Sequence, residues 1–205
     1  MAIPGIALKE QLPLIVIVGR ANVGKSTLFN ALIEEHKALV SDIAGTTRTN
    51  NEGNILWRGK YVRLIDTGGI DSDENELFAQ EIVAQSKKAL GDADVILFAV
   101  DGQDGILPQD KELARRLVQT YKKTTPVLLV ANKIDSKKIE SEFLTLPWAS
   151  LAMGEPHMIS ATTGRGIGDL LDAVYDLLST QRTRPKQKSL EQVETIRVEL
   201  IGKPN

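Results

Sequence analysis

The sequence contains no cysteine, which excludes a disulfide framework and any metal site built on thiolates. It also contains no apolar stretch that approaches the roughly 20 residues of a membrane-spanning helix. Residues 1–13, an N-terminal extension, lack the basic start of a secretory signal peptide, and Pro4, Lys9 and Glu10 interrupt their apolar residues. These absences predict a cytoplasmic protein with no contact to a membrane.

A large excess of charge of one sign is absent as well, because the formal net charge is −2. Residues 181–205 hold six basic and three acidic side chains, so they carry +3 and the first 180 residues carry −5. A domain with that negative charge is a poor generic binder of nucleic acid, and we expect no direct nucleic-acid site. We interpret the basic stretch 182–188 as a solvated linker, with contact to a phosphate backbone as the alternative.

What the sequence does contain is a phosphate-binding loop at residues 19–27, which match the P-loop pattern Gly-x-x-x-x-Gly-Lys-Ser/Thr. Glycines at 19 and 24 allow successive backbone N–H groups to point at phosphate oxygens. Lys25 can reach the outer phosphates, and the Ser26 hydroxyl can hold Mg²⁺. The alternative, a glycine turn in an unrelated α/β protein, is disfavoured by the apolar run before the loop and the helical spacing after it. The residues assigned to nucleotide phosphate are Gly19, Asn22, Val23, Gly24, Lys25, Ser26 and Thr27.

Apolar, strand-like runs alternate with helix-like stretches along the chain, a pattern typical of a parallel α/β sheet. Strands are predicted at residues 14–18, 54–57, 61–65, 94–100, 126–131 and 157–159. Helices are predicted directly after the phosphate loop and at residues 76–90, 109–121, 140–146 and 167–178. We therefore predict an α/β fold for residues 14–180: a P-loop NTPase G domain with a six-stranded, mostly parallel sheet and helices on both faces.

A second motif, Asn132-Lys133-Ile134-Asp135, indicates which base is bound. A carboxylate at Asp135 can accept hydrogen bonds from N1–H and the exocyclic amine of guanine, and adenine offers no such pair of donors. The stem of Lys133 can cover one face of the base. Ser160 and Ala161, after the next predicted strand, suit a backbone N–H donor to guanine O6. Together with Asn132 these residues predict selection of GTP over ATP.

A third motif, Asp66-Thr67-Gly68-Gly69, ends the strand at residues 61–65. Asp66 can hold Mg²⁺ through water, and the Gly68 N–H can meet the γ-phosphate because glycine permits a close approach. Gly69 is predicted to line the same site. The alternative is a simple turn at the end of a strand.

The polar segment Gly45-Thr46-Thr47-Arg48 has the features of a switch. A threonine here would complete the shell of Mg²⁺ only when the γ-phosphate is present. The chemistry alone does not choose between Thr46 and Thr47.

The end of the chain resembles the entry to a second P-loop. Residues 181–195 are predicted to be a linker, since they are polar and contain Pro185. Residues 200–205 then align with residues 17–22, so 196–205 are predicted to be the truncated start of a second G domain. A coincidental strand and turn is the alternative; the repeat predicts a second nucleotide-binding domain in cis.

These motifs, in this order and spacing, resemble the translation-factor-related bacterial GTPases. The Asp-Thr-Gly-Gly-Ile form and the second P-loop entry are similar to the Der (EngA) family of tandem GTPases, over about residues 14–205. Relatives such as Era and MnmE have one G domain each. The resemblance implies binding of GTP and GDP with Mg²⁺, Thr47 as the threonine that binds Mg²⁺, and maturation of the large ribosomal subunit by the full-length protein.

The resemblance also bears on the reaction. Ile70 stands where Ras-like enzymes place the glutamine that orients the attacking water. The family resemblance implies that K⁺, liganded partly by Asn22, supplies the positive charge that an arginine finger would give. We predict a GTPase, converting GTP and water to GDP and phosphate, in which Lys25, Thr47, Gly68 and Asn22 are catalytic. The alternatives are a guanine-nucleotide-sensing module with negligible hydrolysis and a P-loop kinase, which would leave residues 132–135 unexplained.

Overall fold

The structure, a computed structural model, describes residues 12–35, 52–67 and 88–181. Within them six strands form one sheet in the order β2-β3-β1-β4-β5-β6. Neighbouring strands run parallel, except that β2 and β3 pair antiparallel. The strands are β1 (Leu14–Val18), β2 (Glu52–Trp57), β3 (Lys60–Asp66), β4 (Val95–Asp101), β5 (Val127–Asn132) and β6 (His157–Met158). The predicted six-stranded, mostly parallel sheet is confirmed.

Helices cover both faces of this sheet. They are α1 (Lys25–Glu35), α2 (Pro108–Thr120), α3 (Lys137–Leu144) and α4 (Ile167–Gln181). Apolar side chains of α1 and α4 pack with one face of the strands, and those of α2 and α3 pack with the other. Every residue of β1 and of β4 is buried, which explains why these strands read as continuous apolar runs in the sequence.

The β2–β3 hairpin closes at Arg58 and Gly59, between Trp57 of β2 and Lys60 of β3. Arg58 and Gly59 have φ values of 46° and 77°, as a two-residue hairpin turn of type I′ requires. The indole Nε1 of Trp57 donates a hydrogen bond of 2.8 Å to Asp172 of α4. The hairpin is therefore fixed to the body of the domain at its tip.

The structure corrects the predicted bounds of two short elements. Helix α3 begins at Lys137, three residues before the predicted start, because the Ser136 side chain accepts a hydrogen bond of 3.3 Å from the Ile139 N–H and caps the first turn. Strand β6 has two residues rather than three. A 3₁₀ turn at Trp148–Leu151 was not predicted.

Some predicted elements lie wholly or mostly outside the described residues. The helix predicted at residues 76–90 is described only at its end, where residues 88–92 are helical. Residues 1–11 of the N-terminal extension, the switch segment, and the linker and second-domain start from residue 182 onward also lie outside. In the part of the chain that the structure describes, no helix is long and apolar enough to cross a membrane.

Candidate nucleotide-binding site

The carboxyl ends of four parallel strands meet at one edge of the sheet, and each leads into polar residues. β1 leads into the phosphate loop, and β3, β4 and β5 end at Asp66, Asp101 and Asn132. In the register, Ile17 is opposite Asp66, and Asp101 is opposite Asn132. The carboxyl edge of an open α/β sheet is where such folds bind ligands. The fold therefore brings the separate sequence motifs to one place.

The phosphate loop has the backbone that its glycines predict. Gly24 has a φ of 88°, and a Cβ added there would lie 2.4 Å from Asn132 Nδ2. Asn22 has a φ of 65°, a left-handed conformation that asparagine tolerates better than most residues. Helix α1 begins at Lys25, within the phosphate loop, and the N-terminus of a helix favours anions.

Lys25 lies inside the phosphate loop, with only 5% of its surface exposed. Its Nζ donates hydrogen bonds to the carbonyl oxygens of Gly19 (2.8 Å) and Arg20 (2.9 Å). The ammonium is thus held at the centre of the loop by neutral acceptors. Phosphate oxygens would be stronger acceptors for the same group, because they carry charge.

Arg20 fixes the outer side of this loop to helix α2 and the segment before it. Its guanidinium donates to Asp104 Oδ2 (2.7 Å) and lies 3.4 Å from Asp110, which is fully buried. Burial opposes the charge on Arg20, but the hydrogen bond to Asp104 and the nearby carboxylates raise its pKa above the ordinary value. The outer side of the loop is therefore held by a guanidinium that stays charged.

Ser26 and Asp66, both predicted to serve Mg²⁺, are in direct contact. The Ser26 hydroxyl donates a hydrogen bond of 2.7 Å to Asp66 Oδ2, and the Asp66 residue is 2% exposed. A hydroxyl and a carboxylate oxygen side by side are the hard oxygen ligands that Mg²⁺ takes, and it fills its other positions with water and substrate phosphate. The residues present therefore fit a Mg²⁺ ion at this point.

Asn132 connects three loops through the two ends of its side-chain amide. Its Nδ2 donates to the carbonyl oxygens of Val23 (3.0 Å) and Gly24 (3.3 Å). Its Oδ1 accepts the N–H of Ala161 at 3.0 Å. The phosphate loop, the end of β5 and the loop after β6 are thereby joined, which the sequence did not predict for this residue.

Lys133 adds a second connection between the same regions. Its Nζ donates to the Asn22 carbonyl oxygen (2.7 Å) and pairs with Asp101 Oδ2 (2.6 Å). Burial raises the pKa of Asp101, but the hydrogen bond from Lys133 and two from backbone N–H groups outweigh it and hold that pKa below the ordinary value. The carboxylate therefore stays ionised opposite the ammonium.

Asp135, predicted to select guanine, has a hydrogen-bond donor at each carboxylate oxygen. The Ser160 hydroxyl donates to Oδ1 at 2.5 Å, and Gln103 Nε2 donates to Oδ2 at 3.3 Å. Ser160 is fully buried and also accepts the Thr163 N–H at 3.2 Å. These contacts fix the direction of the carboxylate, which suits a group that must meet two N–H donors of one base edge.

Arg165 holds together the loop after β5 and the loop after β6. Its guanidinium donates to the Ile134 carbonyl oxygen at 3.3 Å and also binds Glu140 of α3. Ser160 and Arg165 form a β-bridge across the loop after β6. The turn that carries Ser160 and Ala161 is therefore tied to the segment that carries Asp135.

Sequence reasoning missed Asp101, Gln103, Arg20 and Arg165 as members of this site. For Asp101 a signal was present, since it directly follows a predicted parallel strand, the same position that singled out Asp66 and Asn132. The other three act through contacts between loops distant in the chain, for which a single sequence carries no pattern. Thr47, Gly68 and Gly69, and also Ile70, lie outside the described residues.

Comparison with known proteins extends these observations. A protein-family model described as 50S ribosome-binding GTPase matches residues 14–133. The chain is 41% identical over 193 residues to GTPase Der of Caldanaerobacter subterraneus, and 42% identical over 193 residues to GTPase Der of Amoebophilus asiaticus. Each alignment covers 94% of this chain and 42% of the relative, so the chain spans about two fifths of the length of the curated relatives it matches.

Solved structures give the same result for the fold. An Era in complex with MgGDPNP and a segment of 16S ribosomal RNA has a TM-score of 0.63 and 30% identity. A variant of Aquifex aeolicus Era bound to GDP and AlF₄⁻ has a TM-score of 0.61 and 29% identity. Both matches cover 81% of this chain and 56% of the other. The resemblance inferred from the motifs is confirmed.

Proposed function

Since this chain belongs to the family of 50S ribosome-binding GTPases, we propose that residues 14–180 bind GTP with Mg²⁺ and hydrolyse it to GDP and phosphate. The observation that carries this proposal is the pair of hydrogen bonds from Asn132 Nδ2 to the carbonyl oxygens of Val23 and Gly24. They hold the guanine motif at a fixed distance from the phosphate loop. A nucleotide that spans both would meet Asp135 with its base and Lys25 with its phosphates.

The phosphate end is bound by backbone N–H groups of the loop, residues 19–27, and by the ammonium of Lys25. On binding, Lys25 exchanges its carbonyl acceptors for the outer phosphates. Ser26 and Asp66 hold Mg²⁺, the latter through water, and Thr47 completes its shell when GTP is present. When bound, Mg²⁺ neutralises charge on the β- and γ-phosphates. The N–H of Gly68 meets the γ-phosphate, and Gly69 lines the same site.

The guanine end is read by Asp135, which accepts N1–H and the exocyclic amine. The stem of Lys133 covers one face of the base, while its ammonium keeps its contacts with Asn22 and Asp101. Ala161 donates its N–H to guanine O6 and shares that hydrogen with Asn132 Oδ1. Ser160 directs the Asp135 carboxylate from behind.

Hydrolysis in this site is slow without help, because the residue at position 70 is isoleucine and cannot orient water. We propose that K⁺, held partly by Asn22, supplies positive charge near the phosphates. The second candidate function, a sensing module that binds GTP and GDP with negligible hydrolysis, is favoured by this same isoleucine.

The larger protein acts, in this proposal, in maturation of the large ribosomal subunit. The description of the matching family and the likeness to Der support this role. A second G domain follows residue 195 in cis. We assign ribosome contact to the full-length protein, because the first 180 residues have a net charge of −5, which disfavours binding to RNA.

The test is nucleotide binding and single-turnover cleavage by this chain with Mg²⁺ present. A fluorescent GDP analogue is displaced with GTP, GDP or ATP, and released phosphate is then measured with enzyme in excess over GTP. We expect displacement by GTP and GDP but not by ATP, followed by slow, complete cleavage of GTP. Lys25→Ala is expected to abolish both nucleotide binding and GTP cleavage. The matched control is Lys138→Ala, which changes an exposed lysine on α3 and should behave as wild type. Equal displacement by ATP overturns the guanine assignment, and tight GTP binding without cleavage selects the sensing module.

A further inference from the structure

We propose that Asp101 is a positioning residue for the guanine nucleotide: its carboxylate holds the Lys133 ammonium against the phosphate loop. The Asp101 side chain is 2% exposed and lies 2.6 Å from Lys133 Nζ. The same ammonium donates to the Asn22 carbonyl oxygen at 2.7 Å. This inference rests on the proposed function and adds a residue to its binding site.

The direction of the carboxylate is fixed on its other side. Asp101 Oδ1 accepts the N–H groups of Gln103 (2.8 Å) and Asp104 (3.1 Å), so the chain turns around this oxygen directly after β4. The next residue, Gly102, donates its N–H to the Asn132 carbonyl oxygen at 2.7 Å. Oδ2 therefore remains in one place, facing Lys133.

The Lys133 side chain needs a contact that fixes its position, because it has many rotamers. The backbone of Lys133 is also strained. Its φ of 68° lies in the left-handed region, which non-glycine residues rarely adopt. Its side chain is 36% exposed, so packing alone does not fix it. The buried charge of Asp101 and the Asn22 carbonyl together hold the ammonium, which keeps the end of the stem near Gly24 of the phosphate loop.

The connection predicts an effect on nucleotide binding rather than on cleavage. Without the carboxylate, Lys133 leaves the Asn22 carbonyl, and the base loses the surface that covers it. The dissociation rate of GDP and the KM for GTP should rise, whereas kcat should change little because Lys25, Ser26 and Asp66 are untouched. A purely structural role for Asp101 would instead lower stability without a specific change in nucleotide release.

The experiment measures dissociation of a fluorescent GDP analogue from the wild-type chain and from Asp101→Asn. We expect the GDP analogue to dissociate about tenfold faster from Asp101→Asn, because a hydrogen bond to a charged group is lost. The matched control is Asp94→Asn. Asp94 directly precedes the same strand, at the end opposite Asp101, and its carboxylate accepts the Leu14 N–H at 2.8 Å. This variant should lose stability and keep the wild-type release rate.

A double-mutant cycle identifies the residue through which Asp101 acts. Lys133→Met keeps the apolar stem and removes the ammonium, so adding Asp101→Asn to it should accelerate release no further. Additive effects, equal acceleration in Asp94→Asn, or an unchanged rate in Asp101→Asn would each overturn the proposal. Should Asp101→Asn fail to fold, Asp101→Ser, whose hydroxyl still accepts a backbone N–H, is measured in its place.

A second measurement needs no nucleotide. The rate at which an amine-reactive reagent labels Lys133 is followed by mass spectrometry in the wild-type chain, Asp101→Asn and Asp94→Asn. Faster labelling in Asp101→Asn alone supports the proposal, and equal rates in all three contradict it. A chain that binds no guanine nucleotide overturns the proposed function, while the labelling rates still decide whether Asp101 holds the ammonium.

Discussion

The amide nitrogen of Asn132 lies 3.0 Å from the carbonyl oxygen of Val23, across 109 residues of sequence. This contact joins the loop that carries the phosphate motif to the strand that carries the base motif. Asn132 is 2% exposed, and both ends of its amide have backbone partners. Its part in the site is therefore to set the distance between two binding regions, and changes that displace it should affect both.

Gly24→Ala tests this arrangement from the phosphate side. The new Cβ would lie 2.4 Å from Asn132 Nδ2, and the φ of 88° strains any L side chain. We expect GTP affinity to fall by at least about 100-fold, since a clash and a broken buried hydrogen bond add to the strain. Equilibrium binding of a fluorescent GTP analogue measures this.

Gly59→Ala is the control that separates strain from contact. Its φ is 77°, but a Cβ there would meet no atom within 4 Å. Strain alone should lower the free energy of unfolding by about 1 kcal/mol, which is measured as a lower melting temperature. The nucleotide affinity should not change. Equal losses of affinity in both variants would contradict the role given to Asn132.

Asp135→Asn should change which base is bound. The amide replaces one acceptor oxygen with a donor, which opposes the exocyclic amine of guanine but meets the carbonyl oxygen that xanthine carries there. We expect GTP affinity to fall by about 10- to 100-fold, as for lost charge-assisted hydrogen bonds, and affinity for xanthosine triphosphate to rise. Competition between the two nucleotides measures the change.

The matched control for Asp135→Asn is Asp176→Asn, which changes an exposed aspartate on α4. It should still bind GTP more tightly than xanthosine triphosphate. Ser160→Ala should give a smaller loss, because it removes only the hydroxyl that directs Asp135 at 2.5 Å. Retained GTP preference in Asp135→Asn would count against guanine recognition at this position.

Ser26→Ala should weaken the dependence of GTP binding on Mg²⁺. Its hydroxyl, which lies 2.7 Å from Asp66 Oδ2, is the proposed direct ligand of Mg²⁺, and the variant lacks that oxygen. In the wild-type chain, removal of Mg²⁺ with a chelator is expected to weaken GTP binding strongly, and in the variant the same treatment should change little. Ser141→Ala, on the exposed side of α3, should behave as wild type. An unchanged Mg²⁺ response in Ser26→Ala would place the ion elsewhere.

The sequence predicted the positions of site residues better than their contacts. Asp66 and Asn132 were singled out because each begins a known motif at the end of an apolar run, and such a run ends at the carboxyl edge of a parallel sheet. Asp101 has the same position, but no known motif includes it, and it was passed over. The sequence predicted that α3 exists but not where it begins, because its first residue depends on the cap made by the Ser136 side chain. Connections such as Asn132 to Val23 depend on loop conformation, which a single sequence does not encode as a pattern.

Hydrolysis of GTP should be faster in K⁺ than in Na⁺ at equal ionic strength. The Asn22 carbonyl is engaged by Lys133 at 2.7 Å, so the side-chain oxygen of Asn22 is the group left for a cation beside the phosphates. We expect a difference of at least about tenfold, a small part of the roughly 10³–10⁵ that an arginine finger contributes.

Asn22→Gly removes this side chain and tolerates the φ of 65°, so it should abolish the preference for K⁺ while GTP still binds. Arg58→Gly makes the same change at the other end of the domain, at a φ of 46°, and should retain the preference. Equal turnover in the two salts would remove K⁺ from the proposal, whereas negligible turnover in both salts would favour the sensing module.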